Sequence, residues 1–169
     1  MKLTNKEFKA MNNPLRRLLQ RGYGAKLIAQ RNPRRYVGID LMREQIDLAL
    51  ERNLERCEFI EGDVSDLSAF TDSSFDSVAD FGILHHVPTW RIAVSECARV
   101  LRAGGLFVVE EPEGSLLNRW DKVFHWDHPE GGAFSAKEFE IELTNHGLRV
   151  ERRHDAFGFF WLGARKAAA

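Results

Sequence analysis

Residues 75–109 read FDSVADFGILHHVPTWRIAVSECARVLRAGGLFVV, and the change of period inside this stretch decides the fold. Phe75 to Phe81 is a mostly apolar run introduced by the turn-forming Thr71-Asp72-Ser73-Ser74, which predicts a strand. Trp90, Ala93, Val94, Cys97 and Leu101 then recur at helical spacing, and Gly104-Gly105 is expected to close that helix. Leu106 to Val109 returns to a continuous apolar run, a second buried strand. A strand, an amphipathic helix and a strand in succession form the repeating unit of a doubly wound, mostly parallel α/β sheet.

The same alternation extends in both directions. Upstream, Tyr36-Val37-Gly38-Ile39-Asp40 predicts a strand, Met42, Ile46, Ala49 and Leu50 a helix that stops at Asn53, and Cys57 to Ile60 a second strand before the Gly62-Asp63 turn. Downstream, Ser135 and Glu138 form a capping box, Phe139 and Leu143 face the core, and Gly147 ends the helix. Strands at about 148–154 and 157–165 follow, close enough to require antiparallel pairing, with Phe157-Gly158-Phe159-Phe160-Trp161 expected in the interior. At the N-terminus, residues 1–21 are expected to hold short helices: Thr4 and Glu7 make a capping box, Pro14 interrupts, and Leu15, Leu18 and Leu19 make an apolar stripe. A further short helix is expected over 25–31. Residues 1–166 are read as one domain, and Ala167-Ala168-Ala169 as a cloning remnant.

Composition narrows the function. The chain has 169 residues, 44% hydrophobic and 29% charged, with 24 Lys and Arg against 25 Asp and Glu. A near-neutral chain lacks the global basic field that drives nucleic-acid binding, and no apolar run approaches the roughly 20 residues of a membrane helix. Cys57 and Cys97 are far apart in apolar segments and are read as buried free thiols of a reducing, cytoplasmic compartment. In open α/β sheets ligands sit at the carboxyl ends of the strands. Asp40 ends one strand, where a carboxylate can accept both hydroxyls of a ribose, and Asp63 follows the next, where it can accept from an exocyclic amine of adenine. Either acid alone would serve equally well as a helix cap or turn residue, so their joint placement carries the argument.

The ordered set Gly22-Tyr23-Gly24-Ala25, Tyr36-Val37-Gly38-Ile39-Asp40, Glu61-Gly62-Asp63-Val64, Ser74-Phe75-Asp76-Ser77-Val78, Ile83-Leu84-His85-His86 and Arg99-Val100-Leu101-Arg102-Ala103-Gly104-Gly105 resembles the successive motifs of the class I S-adenosylmethionine-dependent methyltransferases. The resemblance implies a Rossmann-like methyltransferase fold with an antiparallel C-terminal strand pair. It implies S-adenosylmethionine as methyl donor, S-adenosylhomocysteine as product, and a small molecule as acceptor. The residues it assigns to the cofactor are Gly22, Gly24, Asp40, Leu41, Met42, Gly62, Asp63, Val64, Phe81 and His85. Asp40 would bind the ribose, Leu41 and Met42 would flank the adenine, Asp63 and the Val64 backbone would read its edge, and Phe81 to His85 would line the methionine end. One motif departs from the family pattern: the apolar first strand and most of the glycine-rich loop are missing, and only Gly22-Tyr23-Gly24 remains. Without that strand two strand edges lose their neighbour, which predicts a homodimer with shared or swapped N-terminal elements. The competing expectation is an inactive scaffold of the same fold that binds no cofactor.

Methyl transfer from a sulfonium is an in-line displacement that needs alignment and the exclusion of water more than many catalytic groups. Where an acceptor must lose a proton, His86 and His85 are the first candidates as base, and Glu110 or Glu111 the second; the glutamates also fit a solvated strand end before Pro112. His125-Trp126-Asp127-His128 places two imidazoles three apart, yet no metal site is expected, since imidazoles beside a substrate serve as hydrogen-bonding groups or bases. Leu116, Leu117, Trp120, Val123, Phe124 and Trp126 mark a segment that covers either the substrate or the core.

Overall fold

A computed structural model describes residues 28–124 and 131–168, and the chain divides into two compact units, the first running to Val64 and the second starting at Ser65. The expected N-terminal helices, Gly22 and Gly24, and the 125–128 histidine cluster lie outside the described residues. Of the helix expected over 25–31, residues 28–32 form the closing turns, with the Arg31 N–H donating to the Ile28 carbonyl at 2.9 Å.

The described part of the first unit is one strand–helix–strand motif: β1 (Tyr36–Asp40), α1 (Arg43–Leu50) and β2 (Cys57–Glu61). β1 and β2 are parallel, in register from Tyr36 opposite Cys57 to Asp40 opposite Glu61. α1 turns Ile46 and Ala49 inward beside Met42, and its exposed face carries the Arg43–Asp47 ion pair at 2.8 Å. Gly38 is required by packing, since a Cβ there would stand 2.8 Å from the Phe59 ring on β2.

The second unit holds a four-stranded sheet in the order β3 (Phe75–Phe81), β4 (Leu101–Pro112), β6 (Phe159–Lys166), β5 (Leu148–Ala156). β3 and β4 are parallel, joined through a single 3-10 turn (Leu84–His86) and helix α2 (Trp90–Val100). β4 with β6 and β5 with β6 are antiparallel, as the short final connection requires. α3 (Gly114–Phe124) and α4 (Ala136–Asn145) lie between β4 and β5 in the chain, and α4 opens with the expected Ser135–Glu138 capping box. One face of the sheet buries Phe107, Phe160, Leu162 and Ala164. There Phe139 lies 5.1 Å from Phe134, 5.7 Å from Trp90 and 6.0 Å from Phe160, between ring centroids.

Arg99 explains one of the sequence motifs. Its guanidinium donates to the carbonyls of Leu67 at 2.8 Å and Phe70 at 2.9 Å and to Asp72 at 2.6 Å, fixing the loop that delivers the chain into β3. Lys166 at the end of β6 donates to the Ala98 and Leu101 carbonyls at 2.7 Å each, satisfying the C-terminal end of α2.

Three expectations are corrected. α2 ends at Val100 instead of at Gly104-Gly105, and β4 starts at Leu101. The glycines form an irregularity inside the strand: the pairing shifts from Phe75 opposite Leu101 to Ser77 opposite Leu106, Gly104 has φ +72°, and a Cβ on Gly105 would meet the Arg102 carbonyl at 2.8 Å. Phe157, expected in the interior, sits in the two-residue turn between β5 and β6 with φ +54° and is 96% exposed, since the reversal leaves its side chain no neighbouring strand. Cys57 is half-buried while Cys97 is buried; both are free, and Cys57 is the less covered because it starts β2.

Because Phe139 packs against the rings of Trp90, Phe107, Phe134 and Phe160, Phe139→Ala is expected to cost about 3–5 kcal/mol of unfolding free energy. Chemical denaturation checks this, and a loss below ~1 kcal/mol would show that the aromatic cluster is not the centre of the core.

Candidate active site

The parallel pairing of β1 and β2 brings the two sequence-predicted acids to the same sheet end. The Gly62 N–H donates to the Asp40 carbonyl at 3.0 Å, so the Gly62-Asp63 turn begins beside Asp40. Asp40 is half-buried, and its Oδ1 accepts from the Met42 N–H at 2.8 Å. Among the described residues no donor reaches its Oδ2. Burial raises the Asp40 pKa, the Met42 N–H opposes that rise, and the charge of Glu44 adds to it. Met42 is buried with α1, so what it presents at this strand end is its backbone N–H, while Leu41 and Val64 are half-buried.

The second unit gathers a different set. β3 ends at Phe81, which is 41% exposed, and Gly82 turns the chain at φ +70°. Asp80 Oδ1 accepts from the Ile83 N–H at 3.1 Å, holding the turn that presents Leu84, His85 and His86. His85 and His86 are both buried, with ring centroids 3.9 Å apart. From β4 comes Glu111, fully buried: its Oε2 lies 2.6 Å from His85 Nδ1, and its Oε1 accepts from the Leu84 N–H at 2.7 Å. An ionised Glu111 accepts a hydrogen bond from Nδ1 of His85 and so orients the imidazole.

The reading of Glu111 as a solvated strand end is overturned, since it has no exposed surface. Glu110, the other candidate, points from the opposite side of β4, half-buried, and pairs in register with Phe81. The role of Asp80 was missed. Strand parity was the available signal for both acids: Phe107, Val109 and Glu111 alternate onto the buried side of β4. Burial pushes Glu111 up to about 7, although the neighbouring Asp80 carboxyl and the N–H groups of Leu84 and His85 oppose the rise. Asp80 is raised well above its ordinary value, by burial first and then by the neighbouring Glu111 carboxylate. Burial also holds the Cys97 thiol up at about 12, so it stays neutral. Among the described residues no three His, Cys, Asp or Glu side chains converge as a metal site, and no helix is long and apolar enough to cross a membrane.

The sequence profile described as a methyltransferase domain matches residues 20–109, more than half of the chain. The chain belongs to the class I S-adenosylmethionine-dependent methyltransferases. The family's methyl donor is S-adenosylmethionine, and S-adenosylhomocysteine its product. The chain is 38% identical over 105 residues to the fatty-acid O-methyltransferase of Mycolicibacterium smegmatis, covering 60% of this chain and 38% of that protein. It is 38% identical over 88 residues to a phthiotriol/phenolphthiotriol dimycocerosates methyltransferase of Mycobacterium tuberculosis, covering 51% and 32%. The chain thus spans about two fifths and one third of the length of these relatives. Among solved structures it resembles a Haloferax volcanii methyltransferase in complex with the Trm112 activator, at TM-score 0.72 and 20% identity over 86% of this chain and 78% of that one. It also resembles an Aquifex aeolicus S-adenosylmethionine-dependent methyltransferase, at TM-score 0.68 and 16% identity over 97% and 99%. These neighbours show the Rossmann-like methyltransferase fold.

The two buried acids make stability depend on pH in a set direction. Both hold protons more tightly in the folded chain than in the unfolded one, so their contribution is full below the unfolded carboxylate value of about 4–4.5. It is lost as pH rises from there and levels off above the folded value, about 7 for Glu111. The melting temperature of the chain is therefore expected to fall between about pH 4.5 and 7, and to fall less in Glu111→Gln; a rise over that window in scanning calorimetry would contradict the assignment.

Proposed function

We propose that this chain transfers the methyl group of S-adenosylmethionine to a hydroxyl oxygen of a small, lipid-like molecule. The observation that carries the reading is Asp40 at the carboxyl end of β1, half-buried, with one oxygen fixed by the Met42 N–H and the other without a donor among the described residues. That geometry fits the paired hydroxyls of a ribose. The Gly62-Asp63 turn starts against the Asp40 carbonyl, which supports Asp63 and the Val64 backbone as the adenine-reading group and Leu41 as a flanking apolar contact. Phe81 and His85 are assigned to the methionine end, with Gly22 and Gly24 as the remaining part of the loop. When bound, the cofactor supplies a sulfonium methyl group for in-line displacement. The acceptor class comes from the two mycobacterial relatives, whose names state a fatty acid and a dimycocerosate as substrates.

The His85–Glu111 pair supports a hydroxyl acceptor over one that is already ionised, because a hydroxyl must lose its proton as the new O–C bond forms. His85 Nε2 takes that proton, and the Glu111 carboxylate at 2.6 Å from Nδ1 stabilises the imidazolium. His86 lies against the His85 ring and is the second candidate. Titration with S-adenosylhomocysteine tests the reading. Asp40→Ala is expected to weaken binding by about 1.5–3 kcal/mol, roughly 10–150-fold. At saturating S-adenosylmethionine, His85→Ala is expected to slow transfer by about 10²–10⁴-fold. Unchanged affinity in Asp40→Ala sinks the ribose assignment, and full-rate transfer by His85→Ala removes it as base.

One observation favours a second reading. Among the described residues β1 pairs only with β2, and β3 only with β4, so each has an edge with no described partner strand. A segment-swapped homodimer would fill such edges, and a chain unable to fill them would persist as an inactive scaffold. Light scattering on the sample used for titration separates these: a dimer that binds S-adenosylhomocysteine supports the shared-strand enzyme, and a folded protein with no binding supports the scaffold.

A further inference from the structure

We infer that Asp80 is the third member of a buried Asp80–Glu111–His85 chain, a positioning residue that donates a hydrogen bond to Glu111 as a neutral acid and keeps that carboxylate aimed at the His85 imidazole. The inference rests on the reading of His85 as base, and it assigns Asp80 a role that neither the motifs nor the relatives supply.

Strand parity brings the groups together. Asp80 lies on the buried side of β3, opposite Val109 on β4, and Glu111 is the next residue of β4 on that same side. Glu111 is fully buried, and Asp80 is 7% exposed. Asp80 Oδ1 is satisfied by the Ile83 N–H, whereas Oδ2 is buried with no donor facing it. Two ionised carboxylates would leave that oxygen unanswered beside a second negative charge, and no Lys or Arg among the described residues pairs with either acid. A proton on Oδ2 resolves both problems, because the orphaned acceptor becomes a donor to Glu111.

The proton belongs on Asp80 because the donors are distributed unequally. Glu111 receives the Leu84 N–H at 2.7 Å and stands 2.6 Å from His85 Nδ1, so its charge is well solvated by the protein; Asp80 receives one N–H at 3.1 Å. The other ionisable groups around the chain do not change this order. Cys97, facing from α2, is a neutral buried thiol, Glu110 on the other side of β4 raises Glu111 only as the smallest of its influences, and the His86 ring lies against His85 at a tilt of 42°. In the reaction the acceptor's proton moves to His85 Nε2, the imidazolium is matched by the Glu111 carboxylate, and the Asp80 proton stays where it is. One proton is released from His85 to solvent per methyl transferred. Asp80 touches no reacting atom.

Infrared difference spectroscopy and proton NMR test this without donor or acceptor. At about pH 9, above the Glu111 value of about 7, the protein is expected to show the C=O stretch of a protonated, buried carboxylic acid, lost in Asp80→Asn. A wild-type spectrum without the band, or a band that survives in Asp80→Asn, would overturn the proposal. The downfield Nδ1–H signal of His85 is expected in the wild type and in Asp80→Asn, whose amide still donates to Glu111, and is expected to vanish in Asp80→Ala. Its persistence in Asp80→Ala would also overturn the proposal. Where Asp80→Ala does not fold, the Asp80→Asn infrared result decides alone. Should both spectra come out as expected while the chain fails to bind S-adenosylhomocysteine, the functional reading falls and the buried chain stands.

Discussion

A carboxylate without access to water has to be answered by donors, and in the second unit Glu111 imposes that constraint. It comes from the end of β4, where Pro112 has no N–H to offer, and its oxygens reach across to the turn after β3. The Leu84 N–H and the His85 ring answer it, which fixes the conformation of the 3-10 turn, while the Asp80–Ile83 bond ties the same turn back to β3. An apolar residue at position 111 would leave the turn without its anchor. The hydrogen bonds that satisfy the buried charge are also the ones that orient the imidazole.

The first unit solves a simpler problem with the same geometry. Parallel strands end together, so side chains following β1 and β2 are neighbours by topology, although 23 residues separate Asp40 and Asp63 in the chain. Asp40 acts both as the first-turn acceptor for Met42 and as a half-open carboxylate. These two uses do not compete, because each takes a different oxygen.

The elements whose periodicity is strong were legible: β1, α1, β2, β3 and the capped α4 lie where apolar spacing and end signals put them. The misread positions have one cause. A glycine pair ends a helix or kinks a strand depending on what approaches its backbone, and at Gly105 that neighbour is the Arg102 carbonyl, three residues back, invisible to a pattern of apolar spacing. Phe157 was misread because an aromatic residue beside Phe159 and Phe160 looks continuous with the strand, while the backbone reverses there. Between Glu110 and Glu111, residue type could not choose, but the alternation set by Phe107 and Val109 could.

What the sequence by itself determined was the family, the order of strands and helices, and the placement of Asp40 and Asp63 at strand ends, because these follow from local periodicity and from motifs read in one dimension. What only the tertiary structure decided was the partnership among Asp80, Glu111 and His85 and the assignment of their protons. Those depend on which strands become neighbours, how far water is excluded, and how many donors reach each oxygen, and none of these quantities exists until the chain is folded.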